Sequence, residues 1–267
     1  MQETLVSIIT PTYNSSRFIA QTIASSIRAQ TYLNWELLIT DDASTDDTVK
    51  IVQYLARQDC RIKLFQLAQN CGAGAARNNS IERAKGRFIA FCDSDDCWKP
   101  DKLEKQIKYM TENGYSFSFS AYYEYDEQNK IHAIVKFPAK ITKAYLLRNC
   151  IGCLTVIYDV RRVGKMYMPL MRKRQDWALW LQIIQKSHTA HGITEPLAYY
   201  RIRKNSVSAS KLSLIRWNLL VYKQILGYGW IKRTAIFFFL FMPTYISKYL
   251  QKVTYQSYFG QKSDLKK

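Results

Sequence analysis

With 267 residues, 48% of them hydrophobic and 22% charged, the chain can bury a substantial core, and its composition excludes a disordered polyelectrolyte. Its net charge of +18 is unevenly placed. Residues 1–113 hold 14 Lys/Arg against 14 Asp/Glu, so the 25 basic and 7 acidic residues that follow carry the whole excess and prefer an anionic partner: nucleic acid, acidic lipid or a phosphorylated substrate.

The first ten residues show no charged segment leading into an apolar one, so no signal peptide is expected. The six cysteines are scattered. Cys150 and Cys153 form the only close pair, with no second pair to complete a zinc site, so reduced thiols are expected.

Leu5–Thr10 reads as a buried strand broken by Pro11-Thr12-Tyr13-Asn14. Ser15 or Ser16 can cap a helix with Ile19, Ile23 and Ile27 on one face. Trp35–Thr40 is a second strand, ending at Asp41-Asp42; Ser44 and Thr45 can cap a helix carrying Val49, Val52 and Leu55. Arg61–Gln66 is a third strand, and an alanine-rich helix follows Asn70-Cys71-Gly72-Ala73-Gly74 as far as Ala84. A fourth strand, Phe88–Phe91, runs into Asp93-Ser94-Asp95-Asp96. This strand–helix alternation predicts a mainly parallel sheet with helices on both faces.

Three of these strands end in polar clusters: Thr12-Tyr13, Asp41-Asp42 and the 93–96 turn. Ligands of open α/β sheets bind outside the carboxyl ends of the strands. Three carboxylates within four residues repel one another unless a cation sits among them, and oxygen-only donors suit Mg2+ or Mn2+. Taken alone, the 93–96 turn reads sooner as a solvated acidic turn; its convergence with the two other polar strand ends on one rim favours the cation site.

Ser7-Ile-Ile-Thr-Pro11-Thr-Tyr13-Asn14, Asp41-Asp42-Ala-Ser44-Thr-Asp46, Gly74-Ala-Ala-Arg77-Asn78 and Asp93-Ser94-Asp95-Asp96, in that order, resemble the family 2 glycosyltransferases with the GT-A fold, in particular bacterial enzymes of surface-polysaccharide assembly of the teichuronic-acid and O-antigen type. The resemblance implies a nucleotide pocket lined by Pro11, Thr12 and Tyr13, with Asp41 and Asp42 at the base. Asp42 would accept from uracil N3–H, and Arg77 would close the pocket. Asp93 and Ser94 would face the ribose or donor sugar, Asp95 (with Asp93) would hold Mn2+ or Mg2+, and Asp96 would assist.

Beyond residue 98 a helix with Leu103, Ile107 and Met110 inward and a Glu104–Lys108 pair outside ends at Asn113-Gly114. Strands are predicted at 115–125, 131–137 and 153–158, and a short helix at 142–149. Arg172-Lys173-Arg174-Gln175-Asp176-Trp177 opens a helix on which Trp177, Trp180, Leu181 and Ile184 share the core face. Asp176 reads either as a carboxylate favoured by the helix dipole or, by the resemblance, as the base that deprotonates the acceptor; Gln175 stands where the family commonly has Glu. His188 and His191 lack zinc-like spacing and are assigned structural or loop roles. The loop from Arg201 through Arg203 and Lys204 to Ser208 is a solvated basic loop or, together with Arg174, a clamp for the diphosphate and acceptor.

After residue 210 come an amphipathic helix, 212–226, and the apolar run Ala235–Met242, which Pro243 is expected to end. The run is shorter than the ~20 residues that cross a bilayer. Its basic flanks and the aromatic richness of this half, where 15 of the 19 tyrosines lie, suit a helix in the membrane interface; an ordinary packed helix is the alternative.

The expectation is thus a GT-A α/β enzyme with a donor half over 1–113, an acceptor and catalytic-base half over 114–210, and basic amphipathic helices over 211–267. The implied activity is inverting transfer of a hexose or N-acetylhexosamine from a UDP-sugar to a polyprenyl-diphosphate-linked sugar at the cytoplasmic face of the plasma membrane. The partners implied are UDP-sugar, that lipid acceptor and an anionic membrane surface, but not nucleic acid. A nucleotidyltransferase of similar sheet and a basic nucleic-acid-binding module are the rival readings.

Overall fold

The computed structural model describes residues 4–203 and 211–247. Strands β1 (Val6–Thr12), β2 (Trp35–Asp41), β3 (Ile62–Gln66) and β4 (Phe88–Phe91) pair in parallel in the order β3-β2-β1-β4. Every residue of β1, β2 and β4 is buried. That is the sequence signature of strands covered on both faces.

Helix α1 (Ile19–Gln21) continues in wider π-type turns through Ile27. Ile19, Ile23 and Ile27 pack with Val6, Ile8, Leu37 and Ile39 on one face of the sheet, joined by Val52 and Leu55 of α2 (Thr48–Gln58). Helix α3 (Ala73–Arg83) covers the other face, its Ile81 packing with Ile9, Leu38 and Ile89.

The expected serine caps are replaced. Phe18 and Asp47 precede α1 and α2, neither with a side-chain cap bond. Asp46 instead takes Thr48 N–H, while Ser44 turns back to Asp41. A short acidic side chain two residues upstream thus satisfies the first N–H of the helix.

Beyond β4 the sheet becomes mixed. β5 (Cys97–Trp98) precedes α4 (Lys102–Asn113), which ends at left-handed Gly114. Glu104 accepts from Thr31 at 2.6 Å and Lys108 lies 3.9 Å from Glu112, in place of the predicted Glu104–Lys108 pair. β6 (Phe117–Tyr125) and β7 (Ile131–Val135) form an antiparallel hairpin. β8 (Lys140–Thr142) leads into α5 (Lys143–Leu146). The predicted strand over 153–158 is mostly a 3-10 turn, Cys153–Thr155, followed by the short β9 (Ile157–Asp159), which is antiparallel to β4 and β6. Apolar runs do not distinguish a buried strand from a buried turn.

After α6 (Val160–Val163), α7 (Gln175–Ser187) buries Trp177, Trp180, Leu181 and Ile184. β10 (Thr189–Arg201) runs parallel to β6 and completes the order β3-β2-β1-β4-β9-β6-β10-β5. The sheet thus crosses residue 113 without a break. His191 stacks on Tyr115, and His188 ends α7.

Helix α8 (Lys211–Leu226) buries Asn218, Val221 and Tyr222, and Tyr222 packs edge-on to Trp177. α9 (Trp230–Ile236) continues through a π-type turn, Phe237–Phe241, into helical 242–247. Pro243 therefore does not end this helix; the wide turn before it already departs from the i→i−4 ladder that a proline would break. Among the described residues no helix is long and apolar enough to cross a membrane.

Candidate active site

Parallel pairing brings the ends of β1, β2 and β4 to one rim. Thr12 stands opposite Asp41, and Asp42 N–H donates to Thr12 C=O at 2.8 Å. Pro11 and Thr12 are buried in β1, while Tyr13 just beyond is 48% exposed and offers a ring face. Thr12 Oγ1 is shut from solvent with no hydrogen-bond partner.

Asp41 accepts from Ser44 N–H at 2.8 Å and Ser44 Oγ at 2.5 Å. Asp42 is 3% exposed, and each of its oxygens takes a backbone N–H, from Cys71 at 2.7 Å and Gly72 at 2.8 Å. It clamps the 70–72 loop to the rim, a task the sequence reading did not assign to it.

The 93–96 turn is held from below. Thr22 Oγ1 donates to the carbonyls of Ser94 (3.1 Å) and Asp96 (2.9 Å), and the hydroxyls of Ser15 and Ser94 lie 2.8 Å apart. Arg77 reaches from α3 to Asp93 at 2.5 Å. Burial opposes the Arg77 charge, but Asp93, with Asp176 contributing more weakly, holds its proton more firmly than usual. Asp176 lies in the first turn of α7, next to Gln175, which rests against Gly74 of α3 one turn before Arg77. Cys150 Sγ sits 3.9 Å from Asp176 Oδ2.

From the end of β10, Arg203 pairs with Asp95 at 2.7 Å. Arg201 donates to Asp95 C=O at 2.9 Å and to Gln21 at 2.8 Å, with its guanidinium between the rings of Phe18 and Tyr125. Lys204 lies outside the described residues. Arg174 packs over Trp177 and Phe241 rather than pairing with a carboxylate.

Burial lifts the Asp95 carboxyl above its ordinary range; Arg203 opposes the rise and Asp93 adds to it. Asp96 is 1% exposed and accepts Arg201 N–H at 3.1 Å. Burial, then the charges of Asp95 and Asp93, push it well up. Asp96 is thus placed to join β10 to the turn rather than to face a ligand.

Among the described residues no three His, Cys, Asp or Glu side chains form a complete metal cage. The two partly accessible carboxylates, Asp93 and Asp95, fit a hard divalent ion of the kind completed by substrate phosphates and do not fit a site built from protein alone.

Among the described residues, three of the five non-glycine residues with positive φ adjoin this rim or the start of α7: Asn14 (46°), Ala43 (61°) and Arg174 (65°). Such strain collects at functional sites. The sequence reading missed Thr22 and Gln21 and gave Ser15 only a capping role. Thr22 falls three residues after Ile19 on the buried side of its helix, the only signal that marked it. Gln175 was seen as a departure from a family pattern. It packs against Gly74 of α3, where an added Cβ would lie 2.3 Å from its Oε1, and that oxygen is buried without a partner.

The sequence pattern of glycosyl transferase family 2 matches residues 7–160. Over 235 residues the chain is 42% identical to TuaG of Bacillus subtilis (strain 168), named for teichuronic acid biosynthesis, covering 87% of this chain and 93% of that one. It is 41% identical over 225 residues to WfgD of Escherichia coli, a UDP-Glc:alpha-D-GlcNAc-diphosphoundecaprenol beta-1,3-glucosyltransferase, covering 82% and 87%. S. aureus TarS, solved with UDP-GlcNAc, shares the fold with a TM-score of 0.68 at 20% identity, over 88% of this chain and 70% of that one. A rim built from the ends of β1, β2 and β4, the family pattern laid over those strands, and relatives alike over most of their length together make this chain a glycosyltransferase of family 2.

Proposed function

We propose that the chain transfers a hexose or N-acetylhexosamine from a UDP-sugar to a sugar carried on a polyprenyl diphosphate, with inversion, in bacterial surface-polysaccharide assembly. The observation that carries this reading is the common rim formed where β1, β2 and β4 end, at Tyr13, Asp42, Asp93 and Asp95, with the start of α7 resting on α3 through Gln175 and Gly74. The donor and acceptor classes are those in the name of the WfgD relative.

On this reading residues 1–113 hold the donor, 114–210 the acceptor, and 211–267 the membrane surface. Tyr13 stacks on the uracil. Asp42 fixes the loop beside the base and keeps lone pairs for its N3–H. Arg77 orients Asp93 toward the ribose. Asp93 and Asp95 would hold Mn2+ or Mg2+, which when bound would supply Lewis-acid charge for the departing UDP. Arg203 yields Asp95 as the diphosphate enters, and Arg201 and Arg203 then face its negative charge.

Asp176 takes the proton of the acceptor hydroxyl as that oxygen bonds to the anomeric carbon. The bond from that carbon to the UDP oxygen breaks in the same step, and UDP leaves with the electron pair. A single displacement inverts the anomeric centre. The exposed apolar side chains Trp230, Ile231, Phe238 and Phe239, beside Lys232 and Arg233, support docking at the cytoplasmic face of the plasma membrane.

The test is transfer from UDP-glucose to a GlcNAc-diphospholipid by wild type and Asp176→Asn. The variant should bind UDP normally and lose about 10²–10⁴-fold in kcat. Full turnover by the variant would remove Asp176 from the mechanism.

A further inference from the structure

Helices α8 and α9 meet at a turn in which Gly227 takes φ +64°. Gly227 N–H bonds Lys223 C=O, the closure of an αL cap, and Tyr228 N–H bonds Tyr222 C=O, both at 3.1 Å, before the chain enters α9. Between them lies a cleft of about 550 Å³ lined by Ile215, Leu219, Leu220, Arg216, Lys223 and Arg233. This volume is in the range, ~300–1,000 Å³, of sites that hold small organic ligands.

Its walls divide by chemistry. The three aliphatic side chains offer hydrocarbon contact. The three cations have no acidic residue among the lining and no ion pair among the described residues. Arg233 Nε is shut from solvent without a hydrogen-bond partner, an unmet donor of the kind an anion satisfies.

The cleft is tied to the catalytic helix. Trp177, next to Asp176, packs on Tyr222 of α8 at 5.4 Å and on Phe241, just beyond α9, at 5.9 Å between ring centroids. Phe238 and Phe239, 58% and 78% exposed, continue the apolar surface outward from α9.

We propose that the α8–α9 cleft seats the polyprenyl-diphosphate carrier of the acceptor, with the first isoprene units on Ile215, Leu219 and Leu220 and the diphosphate between Arg216, Lys223 and Arg233. The proposal rests on the reading that the acceptor is a lipid diphosphate. Charge selects this occupant over a bilayer phospholipid: three unpaired cations match a diphosphate better than the single negative charge of phosphatidylglycerol.

The experiment follows tryptophan fluorescence of the full chain, which carries Trp217 on α8 and Trp230 on α9, during titration with farnesyl diphosphate, inorganic pyrophosphate or phosphatidylglycerol vesicles. Farnesyl diphosphate should bind at least about tenfold more tightly than pyrophosphate, and excess UDP should leave its binding intact. The double variant Arg216→Ala/Lys223→Ala should bind it at least about tenfold more weakly while keeping wild-type UDP affinity.

Unchanged binding by the double variant, competition by UDP, or displacement by phosphatidylglycerol vesicles would overturn the proposal. Should the variant unfold, photo-crosslinking of wild type with a benzophenone analogue of farnesyl diphosphate decides: labels within 211–236 support the cleft and labels elsewhere refute it. Wild type that binds farnesyl diphosphate in the cleft but no UDP would refute the wider functional reading and leave the cleft standing.

Discussion

Replacing Asp42 by asparagine separates its clamp on the 70–72 loop from the base contact proposed for it. Both oxygens of Asp42 are buried acceptors, one facing Cys71 N–H at 2.7 Å and the other Gly72 N–H at 2.8 Å. The loop they hold is committed to its shape, since Gly72 sits at φ +89°, where L side chains are strained although space is open around it. Asparagine keeps one acceptor and sets an NH2 donor against the other N–H. The loss is one hydrogen bond to a charged acceptor, about 1.5–3 kcal/mol. At roughly 2–4 °C per kcal/mol for a chain of this size, the thermal midpoint should fall by about 3–12 °C without any ligand. Calorimetric unfolding measures this, and titration with UDP on the same sample should show weakened binding as the 70–72 loop loosens. A variant as stable as wild type that nonetheless binds UDP poorly would refute the clamp and make Asp42 a ligand contact alone.

Two pH experiments follow from buried or capped charges. Burial brings the Lys102 ammonium down to about 7, with its Nζ 4.1 Å from the Trp98 ring centroid and 3.0 Å from Gln106 Oε1. The unfolded chain keeps that proton up to about pH 10.4, so it binds more protons than the native state between these values and stability should climb as pH rises through that window. Lys102→Met should abolish the climb and gain most stability at or below pH 7; an identical pH profile in both proteins would contradict the assignment. Slight burial works against the Asp46 charge, but hydrogen bonds from Thr48 and Ser16 outweigh it and hold the carboxyl at about 2. Its folded value lies below the unfolded one, so its contribution is present above about pH 4 and lost as pH falls toward 2. Acid titration of Asp46→Asn by circular dichroism should show that increment missing, and an unchanged acid transition would refute it.

The parallel half of the fold was legible because β1, β2 and β4 are buried on both sides and so read as unbroken apolar runs. Ile19, Ile23 and Ile27, and Trp177, Trp180, Leu181 and Ile184, were equally plain from helical spacing. Elements whose identity depends on distant partners were not. β5 has two residues and exists because Cys97 and Trp98 pair with β10. The Cys153–Thr155 turn carries the same apolar signature as a strand. At the site, sequence order placed the carboxylates on one rim, but it could not show which oxygens were already engaged. The backbone bonds of Asp42, the inward turn of Asp96 and the Arg203–Asp95 pair all come from segments far apart in the chain. The apolar run 235–242 was read as ending at Pro243 because a local rule was applied where a wide turn upstream had already changed the hydrogen-bond ladder.

The most direct test of the nucleotide pocket is isothermal titration of the full chain with UDP and with GDP, each with and without Mn2+, in wild type and Asp95→Ala. UDP should bind wild type more tightly than GDP does, Mn2+ should strengthen UDP binding, and Asp95→Ala should lose the strengthening. Preference for GDP, or a response to Mn2+ that survives Asp95→Ala, would contradict a uridine diphosphate and cation held between Tyr13, Asp42 and Asp95.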